Sequence, residues 1–220
     1  MIRGVIFDLD GVLVSTDEFH YLGWKRLAEE EGIPFGREVN ARQRGVSRME
    51  SLEVMLEKAP RAYSREEKLA MAERKNRYYC EFLAGLTPAD VLPGAREILR
   101  ALRARGLKVA VGSSSRNTPA IMEHTGLLDE VDAVADGNDI TASKPDPEVF
   151  LIAARRLGLA PGECLVVEDA PAGVEAARRG GMAVFAIDAH GLLADVPCRA
   201  ASLGGVTVED LLATPCRTGK

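Results

Sequence analysis

Closely spaced cysteines are missing from this chain of 220 residues. Cys80, Cys164, Cys198 and Cys216 are widely separated and none forms a C-x-x-C pair. That argues against a zinc site and a disulfide framework and fits a reducing cytoplasm. No stretch approaches the roughly 18 consecutive apolar residues of a membrane-spanning helix. Positive charge is not in excess, with 28 Lys and Arg against 33 Asp and Glu and a net charge of −5. Neither a nucleic acid nor an acidic membrane is therefore an expected partner. The opening residues lack a signal-peptide pattern, because Asp8 and Asp10 interrupt the only early apolar run, so a cytoplasmic location is expected. There is no internal repeat and no low-complexity segment. What remains is an ordinary soluble composition, 46% hydrophobic and 28% charged, in a chain long enough for one large or two small domains.

The stretch Phe7-Asp8-Leu9-Asp10-Gly11-Val12 organises the rest. Val5-Ile6-Phe7 reads as a buried strand. Residues two apart at a strand end point the same way, so Asp8 and Asp10 emerge together at its C-terminal edge. Ligands of open α/β sheets bind at that edge. Two neighbouring carboxylates repel unless something balances them. A hard cation such as Mg²⁺, which takes one or two carboxylates and a substrate phosphate, would do so. An ionised Asp beside it can act as a nucleophile, and a second can carry protons. Taken alone, an Asp-rich turn after a strand is a common structural feature, so the other strand ends must decide.

From residue 16 to 89 the pattern is helical with no convincing strand. S-x-x-E capping boxes at Ser15, Ser47 and Ser64 head helices to about Glu31, Ala59 and Gly85. From residue 90 the pattern alternates. Helices are expected over residues 93–105, 117–125, 147–157 and 172–179, and strands over 107–111, 131–135, 164–167 and 183–187. Near-continuous apolar strands between helices predict a parallel sheet covered on both faces, which the first strand joins. The fold class is α/β, a Rossmann-like core with an inserted α-helical cap. Residues 1–15 and 90–220 form the discontinuous core and 16–89 the cap. Residues 206–212 offer a final strand and short helix, and Thr214 to Lys220 a frayed end.

Polar residues recur at the other strand ends. Gly112-Ser113-Ser114-Ser115 supplies a hydroxyl and backbone N–H groups ahead of a helix, a phosphate cradle. Lys144 lies in the loop after the third core strand and offers a point charge for a phosphate. Glu168-Asp169 follows a buried strand directly, and a second pair of metal ligands explains adjacent acids there. Each signal is weak alone, since loop serines cap helices and loop lysines are mostly solvated. Four in order are strong.

The order Asp8-x-Asp10, Ser113, Lys144, Glu168-Asp169 resembles the four motifs of the haloacid dehalogenase-like hydrolase superfamily. Within it the chain is most similar to the β-phosphoglucomutase family, over residues 1 to about 188. The similarity includes His20, Trp24-Lys25, Gly45-Val46-Ser47-Arg48, Ser51 and Arg74-Lys75-Asn76. It continues through Thr87 to Val91, Ser113 to Asn117, Ala142 to Pro145, and Ala172-Gly173 after the acidic pair. The resemblance implies Mg²⁺ on Asp8, the Asp10 backbone carbonyl, Glu168 and Asp169, with Asp8 as nucleophile and Asp10 as general acid/base. Ser113 and Lys144 would hold the transferring phosphoryl group. Arg48 would bind the second phosphate, assisted by Ser115, Arg116 and Asn117, and Ser114 would also touch substrate. His20, Trp24, Lys25, Gly45, Val46, Ser47, Ser51 and Lys75 would serve substrate recognition in a closing cap. The implied activity is a phosphosugar mutase interconverting β-glucose 1-phosphate and β-glucose 6-phosphate, acting as a monomer. The alternative is a phosphatase on a sugar phosphate or other small phosphomonoester. One departure stands out: Ser15 occupies a position where the family pattern usually has Asp.

Overall fold

The structure is a computed structural model that describes residues 1–43 and 46–213. Gly45, one of the expected substrate-binding residues, lies outside the described residues, as does the terminus from Thr214. The chain divides into two compact units, Met1–Ser15 with Thr87–Lys220, and Thr16–Leu86.

The first unit is built on a six-stranded, all-parallel sheet in the order β3-β2-β1-β4-β5-β6. The strands are β1 (Gly4–Phe7), β2 (Lys108–Gly112), β3 (Ala133–Ala135), β4 (Cys164–Glu168), β5 (Ala183–Ile187) and β6 (Arg199–Ala200). Val5, Ile6 and Phe7 are wholly buried, as a central strand covered on both faces requires. The covering helices are α5 (Ala95–Ala104), α6 (Thr118–Thr125), α7 (Glu148–Leu157) and α8 (Pro171–Arg179), with α9 (Val208–Leu212) near the end. Phe7 is in register with Val111 on one side and Val167 on the other. The strand order reverses at β1, where β2 pairs on one side and β4 on the other. Such a switch point opens a crevice at the carboxyl ends of the strands. Asp8, Ser113 and Glu168 all fall at those ends.

The second unit is helical: α1 (Asp17–Glu31), α2 (Arg37–Ala41), α3 (Arg48–Leu56) and α4 (Arg65–Leu83). Its core gathers Trp24, Leu27, Ala28, Ile33, Leu52, Met55, Met71, Ala72 and Tyr78. The capping boxes at Ser47 and Ser64 form in full.

Several expectations are corrected. The box at Ser15 does not form: Thr16 is the N-cap and makes no side-chain cap bond. Its hydroxyl instead accepts from the Tyr79 hydroxyl at 3.1 Å. Glu18, the other half of that box, is drawn to Arg37 by two charge-assisted bonds of 2.7 and 2.9 Å. Near the C-terminus, residues 206–212 give helix α9 and no strand. Thr207 and Asp210 cap one another there, favouring the helix, and the sixth strand is Arg199–Ala200. Cys198 is disulfide-bonded, against the expectation of reduced cysteines. A single bridge needs proximity in the fold and no short spacing in sequence. Among the described residues, no helix is long and apolar enough to cross a membrane.

Candidate active site

The site is built where β1 and β4 end. The Asp8 N–H donates to the Val167 carbonyl at 2.9 Å, so the ladder fixes the backbone up to the first carboxylate. The chain then folds over in a compact turn. Leu13 and Val14 both donate to the Leu9 carbonyl, and Gly11 donates to that of Val14. Gly11 takes φ +81°, a conformation that a side chain disfavours. A Cβ there would lie 2.1 Å from Asp169 Oδ2. Glycine therefore lets the first acidic strand end approach the second.

Asp8, Glu168 and Lys144 are all buried. Lys144 Nζ donates to Asp8 Oδ1 at 2.5 Å and to Glu168 Oε1 at 2.7 Å. It also sits over the Phe150 ring, 4.6 Å from its centroid. Burial pushes the Lys144 ammonium toward neutrality, but the two carboxylates outweigh it and raise its pKa. The lysine is therefore charged. Glu168 is pushed up, by burial first and by the charge of Asp8, while Lys144 opposes the shift. Its other oxygen accepts from the Ala170 N–H at 2.6 Å. Gly173 leaves the room this carboxylate needs, since a Cβ would lie 1.8 Å from Glu168 Oε1.

Asp8, Glu168 and Asp169 each offer an oxygen, all within 4.8 Å of one another. An all-oxygen set of carboxylates fits a hard divalent cation. Asp10 does not enter this cluster through its side chain; the resemblance gives it a backbone contribution. It follows the strand inside the turn, pairing with Val14.

Ser113 is buried at the end of β2, with its N–H on the Ala135 carbonyl at 3.0 Å. Two successive hydroxyl turns shape the loop that follows. Ser113 Oγ accepts from the Ser115 N–H at 3.1 Å, and Ser115 Oγ from the Asn117 N–H at 3.2 Å. Asn117 then starts α6 without a side-chain cap bond. Ser114 Oγ is buried with no partner. The Lys144 loop is tied to α7, because Glu148 Oε2 accepts from the N–H groups of Thr141 and Ala142 at 2.7 and 2.9 Å.

The helical unit holds a second polar cluster. Lys75 is buried, 2.7 Å from His20 Nδ1 and over the rings of Trp24 and Tyr79. His20 stacks on Tyr79 with centroids 4.1 Å apart. Burial, then the charges of Lys75 and Arg48, hold the imidazole pKa well below its ordinary value. An ammonium has no acceptor, so Nδ1 must accept and Nε2 carries the proton. Arg48 donates to Asn76 Oδ1 at 2.9 Å. Ser47 caps α3, and Ser51 is buried with its carbonyl accepting from Gln43 at 2.8 Å. Lys25 is half-buried, 3.8 Å from Glu29, and Val46 is exposed.

Sequence reading thus named the charged and polar residues of both clusters, but not the Tyr79 and Phe150 rings they lie against. It missed the turn Asp136–Asp139, which backs the serine loop, and the tie from Glu148. The available signals were an Asp-x-Asn after a strand, which is an Asx turn, and an acid in the first turn of a helix.

The family model for haloacid dehalogenase-like hydrolases matches residues 2–181. The β-phosphoglucomutase of Bacillus subtilis (strain 168) is 43% identical over 182 residues, 82% of this chain and 80% of that protein. The phosphorylated carbohydrates phosphatase of Thermotoga maritima is 32% identical over 183 residues, 82% of each. A crystal structure of β-phosphoglucomutase from Clostridium difficile superposes with a TM-score of 0.89 at 34% identity, covering 97% of this chain and 96% of that one. With the strand-end carboxylates, serine and lysine in place, the chain belongs to the haloacid dehalogenase-like hydrolases and is a phosphoryl-transfer enzyme of that family.

Proposed function

We propose that this enzyme is a Mg²⁺-dependent phosphosugar mutase. It interconverts β-D-glucose 1-phosphate and β-D-glucose 6-phosphate through an aspartyl-phosphate and a 1,6-bisphosphate. Asp8 attacks the phosphorus of the bisphosphate, and the P–O bond to the sugar breaks. The leaving sugar oxygen takes its proton from Asp10. When the other monophosphate binds, Asp10 removes the proton of the attacking hydroxyl, and the phosphoryl group passes from Asp8 to the sugar. Ser113 and Lys144 bind the equatorial oxygens, over which charge spreads in the loose transition state. Asp8, the Asp10 carbonyl, Glu168 and Asp169 are the proposed Mg²⁺ ligands. The ion, when bound, supplies further electrostatic stabilisation of that charge.

A mutase must grip a phosphate at either end of the sugar. The observation that carries this reading over simple hydrolysis is the polar cluster of the helical unit. There Arg48 is held by Asn76, and a buried Lys75 fixes a neutral His20 with its Nε2 proton free to donate to a sugar oxygen. Arg48 is the proposed ligand of the second phosphate. Ser47, Ser51, Trp24, Lys25, Val46 and Gly45 are proposed sugar-binding residues, and Ser114, Ser115, Arg116 and Asn117 proposed phosphate-binding ones. The 43% identity to a β-phosphoglucomutase favours the same assignment. The enzyme is proposed to act as a monomer in the cytoplasm.

The second reading is a sugar-phosphate phosphatase, favoured by the 32% identity to the Thermotoga protein. One assay separates them: β-glucose 1-phosphate, Mg²⁺ and a trace of the 1,6-bisphosphate, scored for glucose 6-phosphate and for free phosphate. The mutase gives the first product, and a phosphatase only the second. Arg48→Ala removes charge-assisted hydrogen bonds worth about 1.5–3 kcal/mol, so mutase turnover should fall about 10- to 100-fold. Slow hydrolysis of a small phosphate ester should persist. Undiminished mutase activity would place the second phosphate elsewhere.

A further inference from the structure

The chain leaves β3 through Asp136, Gly137, Asn138 and Asp139, and this turn lies directly against the serine loop. Three hydrogen bonds tie the end of β3 and this turn to that loop. Ser113 N–H donates to the Ala135 carbonyl at 3.0 Å, Gly137 N–H to that of Ser115 at 3.1 Å, and Asn138 Nδ2 to that of Arg116 at 3.1 Å. A Cβ at Gly137 would lie 2.4 Å from the Ser114 carbonyl oxygen, 2.8 Å from Arg116 N and 2.9 Å from the Ser115 carbonyl carbon. All three are backbone atoms, so no side chain can swing away to make room. We propose that this turn is the mould that shapes the phosphate loop Ser113–Asn117, with Gly137 as a positioning residue. The inference rests on the reading that this loop binds phosphate.

The turn itself is braced from behind. Buried Asp136 accepts on Oδ1 from the Asn138 N–H at 2.7 Å and from Asn138 Nδ2 at 2.9 Å. Its own N–H donates to Asp139 Oδ2 at 2.9 Å. Arg156, on α7, grips both oxygens of Asp139 at 2.6 and 2.7 Å and also donates to the Val134 carbonyl. With the turn pinned to a helix and a strand, the serine loop is the partner that must give way. Gly137 does not occupy a positive φ, so alanine is acceptable to the backbone at that position. The whole effect of Gly137→Ala therefore falls on the contact. Restoring ordinary van der Waals separation from 2.4 Å requires a shift of the loop by about 1 Å. A misplacement of that size costs up to about 10²-fold in rate.

The test compares wild type, Gly137→Ala and Asn138→Ala. The readouts are kcat and KM on p-nitrophenyl phosphate with Mg²⁺, affinity for inorganic phosphate by calorimetry, amide exchange at Ser114 to Asn117, and thermal unfolding. Gly137→Ala should lose about 10- to 100-fold in kcat/KM and bind phosphate at least tenfold more weakly while still unfolding cooperatively. Asn138→Ala keeps the close approach and loses one brace. It should speed exchange in the loop several-fold with a smaller kinetic loss. A folded Gly137→Ala protein within twofold of wild type in kcat/KM and phosphate affinity overturns the inference. If Gly137→Ala does not fold, Asn138→Ala decides: unchanged loop exchange overturns the inference, and faster exchange supports it. If wild type itself neither binds phosphate nor cleaves the ester, the reading of the loop as a phosphate site has failed. The exchange data then decide alone whether the turn shapes it.

Discussion

Lys144→Met isolates what holds the strand ends together. The ammonium sits 2.5 Å from Asp8 Oδ1 and 2.7 Å from Glu168 Oε1, and all three side chains are buried. With an effective dielectric constant near 20, each contact has a gross attraction of roughly 6 kcal/mol. Much of that is offset by desolvation, so the net effect is better taken from buried pairs broken on one side, about 3–5 kcal/mol. Methionine fills a similar volume and still reaches the Phe150 ring, so packing changes little. What is lost is the charge between two buried carboxylates. Amide exchange at Val5, Ile6 and Phe7 is a suitable probe, because these residues lie in the central strand that ends in Asp8. In the presence of a chelator, exchange there should accelerate about 10²- to 10⁴-fold. Tryptophan fluorescence would be the wrong probe, since Trp24 belongs to the helical unit. Adding Mg²⁺ should recover part of the loss, and more in the variant than in wild type, because the ion takes over charge that Lys144 no longer balances. Phosphoryl transfer should fall by at least 10²-fold in either condition. A variant with exchange within fivefold of wild type and no larger response to Mg²⁺ would refute the idea that Lys144 neutralises this cluster.

Two further outcomes follow from the same physical terms. Gly173→Ala would ordinarily stabilise a helix by up to about 1 kcal/mol. Here the added Cβ meets Glu168 Oε1 at 1.8 Å, so overpacking should reverse the sign to a loss of about 1–3 kcal/mol. Mg²⁺ affinity by calorimetry should fall at least tenfold, and a neutral or stabilised variant with wild-type affinity would show that Glu168 is free to move. His20 gives a pH dependence. Its pKa in the folded protein lies well below the unfolded value, through burial first and then the charges of Lys75 and Arg48. Below about pH 6.5 the unfolded chain therefore binds the extra proton, and stability falls as pH falls, by up to about 1.4 kcal/mol per pH unit. The fluorescence of Trp24 should report this loss between about pH 6.5 and 5.5 in the helical unit. His20→Gln keeps an acceptor for Lys75 and should flatten the slope; an unchanged slope would assign it to another group.

What the sequence made legible was whatever depends on local pattern. The apolar runs, the helix caps at Ser47 and Ser64, and the polar residues at each strand end all express rules that act within a few residues. The box at Ser15 followed the same rule and failed. Two partners distant in sequence, Tyr79 and Arg37, compete for Thr16 and Glu18, and no local pattern records them. The disulfide at Cys198 was hidden for the same reason. The site shows the contrast most clearly. That Asp8, Lys144 and Glu168 carry charge could be read from the chain, and their order placed each after a strand of one sheet. That one ammonium would lie between two carboxylates, with Gly11 and Gly173 leaving space for the acids, depends on strand register. Val111 and Val167 flank Phe7 on opposite sides, so the strand ends meet at one level and charges far apart in sequence come within hydrogen-bond distance. Gly137 belongs to the same class. A glycine in a polar loop signals a turn, and only the close approach of a second backbone turns it into a requirement.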